Sequence, residues 1–136
     1  MATTAMNLHV MAAYANLHGI HTGDQFATGD RLDICAIAYV VAKDCPAPPV
    51  FYTDECASLD LIEASEPAMD AIRAISASLH SEPCETNGQP DYIEHVSNWA
   101  ATRAPFSSAP PTPSEVIGRI LRAALALDTD RPSAVA

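Results

Sequence analysis

Apolar residues along this chain recur mostly at three- and four-residue steps, the spacing that lines one face of a helix. Met6, Val10, Ala13, Tyr14 and Leu17 predict a first helix over Thr4 to His18, buried along that row. Gly19 follows as its C-terminal cap. Ile20 to Gly29 reads as a loop, broken by Gly23 and Gly29. A second helix is expected from Arg31 to Lys43, capped by Gly29 or Asp30, with Asp33 near its positive end and Lys43 at its negative end. Its stretch Ile34 to Ala42 is apolar nearly all round, which predicts the central buried element. A buried strand competes there, because Ile, Val and Tyr are frequent, but three alanines favour helix.

Cys45 to Pro49 is a stiff, proline-set connector, and Val50-Phe51-Tyr52 reads as one brief extended segment. Thr53 or Asp54 caps a short helix to Glu63. Ser65 opens another, with Pro67 in its first turn and Met69, Ile72, Ile75, Ser76 and Leu79 on its buried row. Pro83 to Pro90 is a polar loop containing the turn pair Asn87-Gly88. Asp91 caps a helix to Thr102, with Tyr92, Ile93, Val96, Trp99 and Ala100 inward. Ala104 to Pro111 is linker-like. Thr112-Pro113-Ser114-Glu115 is a capping box, and Val116, Ile117, Ile120, Leu121, Ala124 and Leu125 form the buried face of the helix it opens. The expected architecture is mostly α: one compact bundle of five to six short helices over residues 1–127, with 128–136 a frayed tail.

Composition supports a single small core. The 136 residues are 49% apolar but only 6% aromatic, so Ala, Leu, Ile, Val and Met must build the interior. Charge then narrows the partners. The net charge is −10, and Lys43 is the only lysine, too little positive charge for phosphate backbones or an anionic membrane surface. A protein partner is expected, with no direct nucleic acid and no membrane. Surplus acid also keeps an Ala-rich domain dispersed. Residues 1–22 carry neither a basic leader nor a long apolar run, so a cytoplasmic location with reduced cysteines is expected.

Candidate chemistry is thin. His18 and His21 stand three apart near Asp24 and Cys35, yet no two cysteines lie closer than ten positions, so no metal site or cofactor is expected. Cys35 reads as a core thiol and Cys84 as an exposed one. The loop around His21, Asp24 and Gln25 is rich in hydrogen-bonding groups. On the Tyr92 helix, Asp91, His95 and Trp99 follow at four-residue steps beside Asn98. These seven are the candidate binding residues. No serine or cysteine carries a nucleophile-elbow motif, and no catalytic residue is assigned. The first reading is a non-enzymatic interaction or accessory domain. One alternative is a small-molecule or metal-binding enzyme using His21, Asp24 and His95. Another is an acidic mimic that blocks a nucleic-acid-binding protein, although the acids are scattered along the chain.

Three segments, His21 to Ala27 running into Asp33 to Ala36, Asp91 to Trp99, and Glu115 to Ala124, carry a resemblance. They resemble small proteins of high-GC actinobacteria such as Streptomyces, and a domain family of those bacteria and their phages. The resemblance implies a source and brings no activity, cofactor or catalytic residue.

Overall fold

The computed structural model describes residues 2–102 and 109–130, which form a mostly helical fold of seven helices and two small hairpins. The first helix, α1 (Thr4–His18), ends at Gly19 with φ 80° and ψ −173°, a conformation essentially reserved for glycine. The chain then passes through an antiparallel hairpin of β1 (Ala27–Thr28) and β2 (Arg31–Leu32) into α2 (Ile34–Lys43). The second helix thus starts three residues later than the Arg31 expected. Arg31 points out and Leu32 in, a two-residue alternation that belongs to a strand. The cap is Asp33 rather than Gly29 or Asp30, and its Oδ2 accepts from the Cys35 N–H at 2.8 Å.

Val50 to Tyr52 is not extended. These residues form a single helical turn, α3 (Val50–Thr53), in which the Phe51 and Tyr52 N–H groups donate to the carbonyls of Pro48 and Pro49. Pro49, at φ −55° and ψ −32°, is already in helical geometry, so the prolines start the turn instead of stretching the chain. Asp54 caps α4 (Glu55–Glu63) by accepting from the Ala57 N–H, and Ser65 caps α5 (Glu66–Ser78) by accepting from that of Ala68.

The polar loop after α5 contains a hairpin, β3 (Glu85–Thr86) and β4 (Gln89–Pro90). Asn87 and Gly88 both have positive φ, 55° and 78°, which is the twist a two-residue hairpin turn requires. Two helices follow, α6 (Tyr92–Thr102) and α7 (Pro113–Asp130). The capping box of α7 is reciprocal: Thr112 N–H donates to Glu115 Oε1 at 3.1 Å, and Glu115 N–H donates to Thr112 Oγ1 at 3.2 Å. The helix runs past residue 127 to Asp130, and most of the linker-like segment and residues 131–136 lie outside the described residues.

At the centre sits α2, buried continuously from Ile34 to Val40 and packed by α1, α5 and α6. The outer helix pair is α1 against α7. Their inward faces differ from those expected. In α1 the buried residues are Asn7, Leu8, Met11, Ala12 and Ala15, while Met6, Val10 and Leu17 are 55%, 53% and 77% exposed. In α7 Val116, Ile120, Ala123 and Ala124 are buried, and Leu121 and Leu125 face outward. Both helices offer two apolar rows at helical spacing, and the row richer in alanine lets the backbones approach closely. No helix among the described residues is long and apolar enough to cross a membrane.

Candidate functional site

The segment between α1 and α2 is laced down by its own backbone. His21 N–H donates to Leu32 O at 2.9 Å, Phe26 N–H to Phe51 O at 3.0 Å, and Asp33 N–H to Phe26 O at 2.8 Å. The Phe26 ring stands 6.0 Å from that of Phe51, which also meets the Tyr39 ring at 5.4 Å. Those anchors hold the loop across α3 and against the start of α2. Within it, His21 Nε2 lies 2.7 Å from Asp24 O, closing a tight turn, and Gln25 takes a left-handed φ of 65°.

Loop, α4 and α6 line a half-open cavity of about 370 Å³. Gln25 and Phe26 reach it from the loop, Glu55 and Leu59 from α4, and Glu94, Ser97 and Asn98 from α6. Asp33 and Asp91, the two caps, complete its acidic wall. Among the described residues the lining therefore holds four carboxylates and no Lys, Arg or His. Gln25 Oε1 is sealed from solvent with no hydrogen-bond partner among the described residues. An acceptor left unpaired in the interior costs about 1–3 kcal/mol.

Asp33 is the most perturbed group of the site. Its Oδ2 accepts from Cys35 N–H and lies 2.9 Å from Ser97 Oγ, which donates to it. Burial pushes its carboxyl up to about 6, against the lowering pull of those hydrogen bonds. Ser97 Oγ also lies 3.3 Å from Cys35 Sγ, whose thiol is 3.7 Å from Ile93 O. Burial first, and the Asp33 charge second, raise the Cys35 thiol well above its ordinary value, so it stays protonated and acts as a packing group.

The expected binding residues divide. Gln25, Asp91 and Asn98 share the cavity. His21 and Asp24 belong to the same loop but not to the cavity wall, and the His21 ring is turned back onto the Asp24 carbonyl. His95 turns away into the bundle, with Nδ1 2.7 Å from Ser76 Oγ and Nε2 2.8 Å from Ser81 Oγ. Burial lowers its pKa, which keeps the ring neutral. Trp99 is half-buried against the core. The helix explains this split: each four-residue step overshoots a full turn by about 40°, so the row from Asp91 through His95 to Trp99 winds off the cavity. Asp91, Glu94, Ser97, Asn98 and Ala101, at three- and four-residue spacing, stay on it. Glu94 and Ser97 were readable from that alternative stripe, and Asp33 from its position before an apolar run. Glu55 had no local signal, because only tertiary packing brings α4 there.

Among the described residues no group of three or more His, Cys, Asp or Glu side chains is placed to hold a metal ion. The acids are spread around a space larger than a bare cation. No family model, no curated protein and no solved structure matches this chain.

Proposed function

We propose that this chain is a non-catalytic binding domain, of the interaction or accessory kind, whose cavity receives a cationic, donor-rich group from a protein partner. One observation carries the reading: among the described residues, the charged groups that line the cavity are all carboxylates. A net charge of −10 adds a long-range field that draws basic partners toward the surface. The enzyme alternative loses its base, since both ring nitrogens of His95 are engaged by Ser76 and Ser81 away from the cavity. A free amine-bearing small molecule is the second reading, because about 370 Å³ falls within the usual range of ligand pockets.

Agmatine, a small guanidinium amine, is a direct probe. Followed by amide NMR shifts, it should bind in about the millimolar range, shifting Gln25, Asp33 and Ser97. The double variant Glu55→Gln/Glu94→Gln, which neutralises the two exposed acids of the wall, should weaken it severalfold, and added salt should do the same. A titration in which no lining residue moves would sink the reading.

A further inference from the structure

The first helix has the composition of a buried element and the position of an outer one. From Thr4 to His18 it holds no Asp, Glu, Lys or Arg, although the chain carries 17 acids and 7 basic residues. Its outer neighbour α7 carries Glu115, Arg119, Arg122 and Asp128. In α2 a similarly apolar composition is matched by burial from Ile34 to Val40. In α1 only one face is buried, through Leu8, Met11, Ala12 and Ala15. A second apolar row, Met6, Val10, Ala13 and Leu17, is exposed and covered by none of the described residues. A helix that is apolar on both sides is ordinarily buried on both.

The exposed row advances in steps of four, three and four, the spacing of a two-helix coiled-coil seam. It reads the same in either direction. A second copy related by a two-fold axis through the middle of the row runs antiparallel, setting Met6 opposite Leu17 and Val10 opposite Ala13. Each central pair joins a larger side chain to a smaller one, which lets the backbones approach, and the longer Met6–Leu17 pairs close both ends. So short a seam would not hold two free peptides together, but α1 is already folded against α7 and α2.

Charge selects the occupant. Two copies, each with a net charge of −10, repel one another wherever their acids meet. A basic partner is drawn to those acids and gains nothing from a face without them. A row free of charged residues suits a partner as acidic as the chain itself, and depletion of charge is the mark of an interface core. Size sets the strength. The helix is about 22 Å long, and a stable interface buries about 800 Å² a side, more than one such row supplies. Tyr14, Val41, Cys45 and Pro46 widen the face beside Val10, around an open space of about 390 Å³ with Asp44 at its edge. The contact stays at the small end of the range, which fits a reversible dimer.

We infer that this chain forms a two-fold dimer in which α1 packs antiparallel on α1 of a second copy. None of the paired residues lines the acidic cavity, so the dimer and the cation-binding reading fail separately.

Sedimentation equilibrium of the full chain between about 5 and 500 µM should show monomer and dimer in exchange, with a Kd of about 10–100 µM. Val10→Glu, and separately Leu17→Glu, should weaken the dimer at least about tenfold. Both positions are exposed, so circular dichroism and agmatine binding should match the parent. Adding Ala13→Arg to Val10→Glu sets opposite charges against each other across the axis and should restore most of the affinity. Added salt should strengthen the dimer by screening the acids, opposite to its effect on cation binding. A parent that stays monomeric at the highest concentration overturns the dimer and leaves the row to a different protein. A dimer that survives both glutamate variants overturns it as well. A double variant that stays monomeric overturns the antiparallel register.

Discussion

Two buried polar centres flank α6, and they differ in how completely they are satisfied. One is His95 between Ser76 and Ser81, a neutral ring whose two nitrogens each meet a hydroxyl. The other is Asp33 with Ser97 and Cys35, a buried carboxyl with hydrogen-bond donors and, among the described residues, no cationic side chain in its cavity wall. The first is closed: its hydrogen-bonding capacity is met within the bundle, which is how interior polar groups stabilise a fold. The second is open, since burial outweighs the hydrogen bonds and the His21 charge that favour its ionised form. Residue type alone would have ranked them the other way, because histidine is the commoner catalytic and metal-binding side chain.

Breaking the closed centre should have the largest effect. His95→Ala empties a buried ring site and leaves Ser76 without its partner, so it should destabilise by about 3 kcal/mol, read from urea unfolding. A loss under about 1 kcal/mol would mean that His95 is not structural. The open centre should respond to pH instead. Burial raises the Asp33 pKa from 3.8 to about 6, so the folded state holds that proton more tightly than the unfolded chain. Its stabilising contribution is complete below about pH 4 and is lost as pH rises through about 6. The variant Asp33→Asn keeps a side-chain oxygen to cap the helix but cannot ionise. Relative to that variant, the wild type should lose roughly 2–3 kcal/mol between pH 4 and pH 7. Parallel stability profiles would place the titration elsewhere. The smallest effect belongs to the edge of the closed centre. Ser81 is half-buried, and water can replace its hydroxyl, so Ser81→Ala should cost under about 1 kcal/mol.

Helix positions were legible where a cap announced them. Asp54, Ser65 and the Thr112–Glu115 box all act as their side chains suggest, and Gly19 ends α1 as its missing Cβ allows. Facing was less legible. An alanine-rich helix can bury either of two rows, and the choice between Leu8 and Val10, or between Ile120 and Leu121, is made by what packs against it. The site was half-visible for the same reason. Gln25 was identified from the polar density of its loop, and Asp91 and Asn98 from their place on one helix, but Glu55 and Asp33 join them only once α4 and the β1–β2 hairpin are in place. Placing His95 in the site came from counting strict four-residue steps on a helix that turns every 3.6 residues.

Asp33 carries one more consequence, because the same carboxylate starts the central helix and lines the cavity. A cation seated there would relieve the cost of ionising a buried acid at the N-terminus of α2, the helix around which the bundle is assembled. Occupancy and folding are then linked quantities: at a ligand concentration 100 times its dissociation constant the folded state gains about 2.7 kcal/mol. The bound form of the chain would unfold at a higher temperature than the free form. Binding of a cation there would in that way lengthen the lifetime of the folded domain.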